Sequence, residues 1–369
     1  MKIALITIHW TPNYGAALQA FSTVQVLKEF GEVSVIDYRS KRLYRSMALL
    51  RFGGEFRAVL RVGKDVFRLF PRYCVIKKFK RFGHEYLNMT KIISTDQDFN
   101  ELSRQFDIFV SGSDQIWNPR VSNENGKIDG RYFLDFAGGQ KKISYASSIG
   151  SYNYSEKELS RVVSLLEQYD HLAVRESDSA KYLEELLKRP VEHVLDPTLL
   201  LTKDQWLQAF EIDEDDCVNP YILVYALKKD KALKRAVETV ASYLKIRVIT
   251  IDQDPFTNFK NEKHIRDAGP IDFVKLFSKA SYVVTNSFHG VCFSLNFNIP
   301  FVVTTPPGGI NRIDSLLVAV GAPDRIVKDS AKLSALVEAK LEFSAMNNRL
   351  NRLRKESMKY IKNSIIESP

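Results

Sequence analysis

The chain has 369 residues, 45% hydrophobic and 26% charged, which fits a globular protein long enough for two domains and excludes a disordered or fibrous one. Cys74, Cys217 and Cys292 are scattered without CxxC spacing, against a disulfide framework or a zinc site, and no run reaches the roughly 20 apolar residues of a spanning helix. The net charge of +9 sits in one place: Arg39 to Gly83 holds fourteen Lys or Arg against Glu55 and Asp65, a local +12 that leaves −3 for the rest.

In chain order, KIALITI reads as a strand, NYGAALQAFSTVQVLKEFG as a helix with Ala17, Phe21, Val24 and Leu27 on one face and closed by Gly31, and EVSVIDY as the next strand. Strand, turn, helix and strand within about forty residues make a βαβ unit. FDIFVSGSD and KISYASSIG follow as strands, SEKELSRVVSLLEQY as a helix opening at Ser155, and HLAVRESDSAKYLEELL as strand, turn and helix. After the acidic turn IDEDDCVNP the pattern restarts with YILVYAL, a Lys-rich helix, IRVITI, a helix near Ile271 to Lys279, and YVVTN. A basic terminal helix closes the chain. The expected architecture is α/β, two Rossmann-like domains facing a cleft: 1–210 with a basic helical insert at about 40–83, 211–345, and a C-terminal closing helix at 346–369.

Polar clusters fall at four predicted strand ends, where ligands of open α/β sheets bind. HWTPNYG, with Asn13, Tyr14 and Gly15, leads into the helix that carries Gln19; Gly15 admits close backbone approach, and the helix N-terminus offers amides to an anion. SGSDQIWNP offers Asp114, Gln115 and Asn118 to vicinal hydroxyls and Trp117 as a stacking face for a sugar ring. The same residue types also suit a capped turn with Trp117 in the core. Arg175 in AVRESDS presents a fork for carboxylate or phosphate, or pairs structurally with Glu176 or Asp178. In TNSFHG, Asn286 and Ser287 precede His289 at a helix start, as chemistry or as packing. The loop TTPPGGINRIDSLL adds Gly308, Gly309, Asn311 and Arg312. No P-loop, HExxH, GxSxG or GxGxxG motif is present, and no metal site is expected.

NYGAALQAF, VSGSDQIWNP, AVRESDSAKYL…DPTLLL and TNSFHG, in this order, resemble the polysaccharide pyruvyl transferase family over most of the chain. The resemblance implies a fold similar to GT-B glycosyltransferases and transfer of a pyruvyl group from phosphoenolpyruvate to two hydroxyls of a sugar, galactose or a related hexose, with ketal formation and phosphate release in cell-surface polysaccharide assembly. By the same resemblance His289 matches the family's acid or base and Arg175 a donor-binding Arg, with Asn286, Ser287 and Arg312 beside them. Asn13, Tyr14, Gly15, Gln19, Asp114, Gln115, Trp117 and Asn118 then belong to the acceptor side. Phosphoenolpyruvate would be a substrate, with no bound cofactor or metal. Some members carry a basic residue two positions before the His, where this chain has Ser287, so Arg312, Lys228 or Lys229 would have to help bind the anion.

In the basic segment Arg57, Arg61, Lys64, Arg68 and Arg72 share one helical face while Phe56, Leu60, Phe67 and Phe70 fall on another. Such a helix either packs with a solvated basic face or lies on an anionic membrane, where a polyprenyl-diphosphate-linked sugar acceptor would be found. MKIALITIHWTPNYG lacks the long apolar core of a signal peptide, so a cytoplasmic protein is expected, peripheral to the inner membrane face if that helix binds lipid. A GT-B nucleotide-sugar glycosyltransferase is the competing enzyme, and a non-catalytic sugar-binding protein the competing binder. Nucleic acid is not an expected partner, because the rest of the chain is acidic.

Overall fold

A computed structural model describes residues 1–49, 66–213, 219–253, 259, 262–305, 311–327 and 332–367. The chain folds as two compact units, the first comprising Met1–Ala48, Phe79–Leu200 and Arg352–Pro369, the second Leu49–Lys78 and Leu201–Asn351. Arg57, Arg61, Lys64, Phe56 and Leu60 of the expected amphipathic helix, and Gly308 and Gly309, lie outside the described residues.

The first unit is built on β1 (Lys2–Ile6), β2 (Glu32–Tyr38), β3 (Met89–Ile93), β4 (Ile108–Ser111) and β5 (Lys141–Ser144), all parallel in the order β3-β2-β1-β4-β5. β1 and β4 are almost entirely buried, as expected of central strands covered on both faces. A short parallel pair, β6 (Ala173–Val174) and β7 (Glu192–His193), extends the unit. The second unit repeats the plan with β8 (Tyr221–Tyr225), β9 (Arg247–Ile251), β10 (Glu262–Ile265), β11 (Tyr282–Thr285) and β12 (Phe301–Val303), parallel in the order β10-β9-β8-β11-β12. Each sheet therefore reverses its order beside its first strand, between β1 and β4 and between β8 and β11. This is a GT-B-like α/β architecture of two Rossmann-like lobes with a C-terminal helix, Phe343–Ile366.

The first helix runs Tyr14–Leu27 and ends at Lys28, before the expected Gly31. Gly31 serves a different need: a Cβ there would stand 2.4 Å from the Met1 carbonyl oxygen, where the start of β2 crosses the chain terminus. The terminal helix is tied to the first unit by Tyr360, whose hydroxyl donates to the Ser144 carbonyl (2.9 Å), and by Ser357, which accepts from the Leu195 N–H (3.0 Å). Among the described residues no helix is long and apolar enough to cross a membrane.

Candidate functional site

In the first unit the crevice at the order reversal is bounded by the chain leaving β1 and the chain leaving β4. The Thr7 hydroxyl crosses it, donating to the Ser113 carbonyl at 2.7 Å. Gln19, fully buried one helical turn inside Tyr14–Leu27, donates from Nε2 to Thr7 Oγ1 (2.8 Å) and to the carbonyls of Ile8 and Ala16 (3.0 Å each). Its Oε1 is buried and has no hydrogen-bond partner among the described residues. Asn13 is the helix cap, accepting from the Ala16 N–H at 3.3 Å, Tyr14 packs on the Phe79 ring, and Gly15 is buried in the first turn. Most of NYGAALQ thus shapes the turn.

Sequence reasoning missed a buried charge group in the same unit. His9 Nδ1 lies 3.0 Å from the Thr7 carbonyl, so that nitrogen carries the hydrogen, while Nε2 stands 3.5 Å from Asp37 Oδ1. Arg39 grips the same carboxylate with both arms of its fork, Nε to Oδ1 at 2.8 Å and Nη2 to Oδ2 at 2.6 Å, and lies 3.9 Å above the Trp10 ring. Burial alone would raise the Asp37 pKa, but hydrogen bonds and charge from His9 and Arg39 outweigh it and hold it at about 2. The signal was the DYR triplet ending β2, since residues two apart on a strand share a face.

At the end of β4, Asp114 has φ +76°, in the left-handed region. Its Oδ1 accepts from the Gln115 N–H (2.8 Å); Gln115 Oε1 accepts from Asn118 Nδ2 (3.0 Å), and Asn118 caps a short helix by accepting from the Arg120 N–H. Trp117 is 1% exposed, stacked on Phe133 with Tyr169 against its edge, and its indole N–H donates to the Tyr132 carbonyl (3.1 Å). The ring is a core residue, which corrects the expectation of a sugar platform. Arg175 is likewise interior: it pairs with Asp196 (2.7 Å), Glu176 (3.3 Å) and Asp114 (4.0 Å), and its side chain is 1% exposed. Burial would lower its pKa, yet the three carboxylates raise it further. The guanidinium is thus ringed by negative charge, and its contact with Glu176 is the structural pairing that AVRESDS also allowed.

In the second unit TNSFHG lies at the carboxyl end of β11. Asn286 is fully buried, its Oδ1 accepting from the Leu227 N–H and its Nδ2 donating to the Lys228 carbonyl, both at 2.7 Å. It ties the loop after β8 to the end of β11. Ser287 precedes the helix Phe288–Asn296 at its N-cap and bonds Tyr225, whose hydroxyl burial nevertheless pushes up to about 12. His289 is in the first turn of that helix, 8% exposed, with Phe288 edge-on at 5.4 Å. Arg312, in the helix Asn311–Val320, has its guanidinium 6.0 Å from the Phe288 ring centre. Lys229 is paired with Asp252, which also meets His264 Nε2 at 2.6 Å. The structure therefore gathers Asn286, Ser287, His289 and Arg312 at one sheet edge, and Asn13, Gln19, Asp114 and Gln115 at the equivalent edge of the other unit. Among the described residues no three His, Cys, Asp or Glu gather to hold a metal ion.

Several solved structures share this fold. The UDP-GlcNAc 2-epimerase of Neisseria meningitidis bound to UDP-GlcNAc aligns with TM-score 0.54 and 13% identity over 100% of both chains. The S. aureus MnaA–UDP structure aligns with TM-score 0.51 and 14% identity, over 100% of this chain and 98% of that one. The UDP-GlcNAc 2-epimerase of Methanocaldococcus jannaschii in complex with UDP-GlcNAc and UDP aligns with TM-score 0.50 and 14% identity, over 96% and 99%. No curated protein matches the sequence. These findings overturn the expected activity. The structures sharing the fold are of nucleotide-sugar enzymes, so phosphoenolpyruvate as donor, ketal formation, the pyruvyl transferase activity and the polyprenyl-diphosphate-linked acceptor are not retained. Family membership is a separate matter: the family model for polysaccharide pyruvyl transferase matches residues 13–306, and the chain belongs to the polysaccharide pyruvyl transferase family.

Proposed function

We propose that this family member is a nucleotide-sugar glycosyltransferase, taking its donor on residues 211–345 and its acceptor on residues 1–210. The observation that carries the reading is the turn Asn286–His289, which enters a helix N-terminus at the order reversal of the second sheet. Amides at a helix start favour a diphosphate, and such a reversal is where open α/β sheets bind nucleotides. His289 in the first turn is the group that hands a proton to the departing diphosphate. Ser287 and Arg312 flank it, and Asn286 holds the loop that faces it. The similar structures captured with UDP or UDP-GlcNAc support a uridine nucleotide as the donor's leaving group.

The test is UDP release from a panel of UDP-sugars with and without oligosaccharide acceptors. His289→Ala is expected to slow release ~10²–10⁴-fold, the usual worth of a general acid. A wild-type protein that neither binds UDP nor turns over any UDP-sugar would overturn the reading, and an epimerised sugar without transfer would move it to epimerisation.

A second reading concerns location. Phe67 and Phe70 are 74% and 76% exposed, and Tyr73 follows them on the same helical spacing beside Arg68, Lys77 and Lys80. Aromatic side chains next to basic ones suit an anionic bilayer, so the protein is peripheral to the cytoplasmic membrane face in this reading. Flotation with phosphatidylglycerol vesicles but not phosphatidylcholine vesicles is expected, reduced by Phe67→Ser/Phe70→Ser; equal flotation with both lipids would refute it.

A further inference from the structure

The exposed aromatic end of the basic segment is fastened to the second unit at the carboxyl edge of its sheet. Val66, Phe67, Leu69, Phe70 and Tyr73 are all exposed, on the part of the helix Leu69–Tyr86 that belongs to that unit and on the residues leading into it. In a continuous helix the Phe67 carbonyl would accept from the N–H four residues on, but that residue is Pro71, which has none. Arg266, the residue after β10, supplies the missing donor: its Nη2 donates to the Phe67 carbonyl at 3.2 Å and to the Gln253 carbonyl at 3.3 Å. Lys78 makes a second tie, donating to Asp272 Oδ2 at 2.8 Å; the same oxygen accepts from the Gly269 N–H at the start of the helix Pro270–Ser278.

From Arg266 a run of polar contacts leads to the turn Asn286–His289 without leaving the second unit. Gln253 follows Asp252, whose carboxylate meets His264 Nε2 on β10 at 2.6 Å and pairs with Lys229 in the loop after β8. Asn286 holds the same loop, through the Leu227 N–H and the Lys228 carbonyl at 2.7 Å each. Each link joins segments at or near the carboxyl ends of β8, β9, β10 and β11, so steadying one end restrains the other.

We propose that this run is a regulatory link: an anionic bilayer that takes up Phe67 and Phe70 steadies the carboxyl edge of the second sheet through Arg266, and so raises the affinity of the second unit for its nucleotide. This rests on the nucleotide and membrane readings. The partner is an anionic lipid surface because Arg39–Gly83 carries a local +12 around these aromatic residues, and basic charge beside apolar side chains is what such a surface attracts. A protein already ordered by one ligand gives up less conformational entropy to the next, so two ligands that order the same edge favour each other. That help is equal in both directions.

The experiment measures the UDP dissociation constant by equilibrium dialysis with phosphatidylglycerol vesicles and with phosphatidylcholine vesicles, for wild type, Arg266→Met and Pro71→Ala. Phosphatidylglycerol is expected to tighten UDP binding by wild type ~5-fold or more, and saturating UDP to tighten vesicle binding by the same factor in flotation. Arg266→Met removes the tie to Phe67, and Pro71→Ala restores the helical N–H that competes with it. Both variants are expected to float and to bind UDP without lipid as wild type does, and to lose the lipid effect. A lipid effect that survives undiminished in either variant overturns the proposal. The same UDP constant with both lipids, while wild type floats on phosphatidylglycerol alone, overturns the link and leaves the two readings standing. Absence of UDP binding, or equal flotation with both lipids, overturns the reading concerned and the link with it.

Discussion

Asp37 is kept ionised inside the first unit by two partners at its own sheet edge, His9 at 3.5 Å and Arg39 across both its oxygens. Burial opposes that charge and the two partners win, so its pKa falls from 3.8 to about 2. A carboxylate depressed on folding adds stability above its unfolded pKa and loses it as pH falls through the folded one. The contribution, about 2 kcal/mol from the size of the shift, is present above pH ~4 and lost toward pH ~2. Asp37→Asn is therefore expected to lower the urea-unfolding free energy by about 2 kcal/mol at pH 7, with the gap to wild type closing between pH 4 and 2. The sequence shows such residues only by type. Trp117 and Arg175 have the chemistry of a sugar platform and an anion clamp, but Phe133 and Tyr169 cover the indole, and Asp196 and Glu176 close on the guanidinium. Asp114, 4.0 Å from the same guanidinium, is the most exposed of its three carboxylate partners.

The helix Phe288–Asn296 packs so tightly onto β11 that only glycine fits at its third residue. A Cβ on Gly290 would lie 2.2 Å from Thr285 Oγ1 and 2.9 Å from Thr285 Cβ, and neither can withdraw, because that hydroxyl bonds the Tyr225 carbonyl. Gly290→Ala is expected to destabilise the protein by about 1–3 kcal/mol through overpacking, read as a lower thermal midpoint. The motif TNSFHG is legible as strand end and helix start because Tyr282–Thr285 is an unbroken apolar run; the closeness of helix to strand is not legible, since it depends on which face of β11 the helix covers. β3 and β10 escape sequence reading for a related reason. Both are edge strands, MTKII and EKHI, mostly part-buried rather than buried, so they lack the apolar run of a central strand.

For the whole molecule, the nucleotide-sugar reading makes a prediction that needs no knowledge of the acceptor. A ligand that binds the native state stabilises it by about 2.7 kcal/mol at a hundred times its Kd. UDP is expected to raise the thermal midpoint accordingly and phosphoenolpyruvate to leave it in place, which differential scanning fluorimetry would read directly. Apolar runs and amphipathic stretches by themselves determine two parallel α/β sheets and set the polar clusters at strand ends, because strand and helix periodicity are local properties of the chain. Which polar residue becomes a clamp, a core ring or a ligand-facing oxygen is decided by partners far along the chain. Thr7 meets Ser113 106 residues away, and Arg175 meets Ser113 across 62. Only the folded sheet brings those groups within hydrogen-bond distance, so only the tertiary structure assigns their roles.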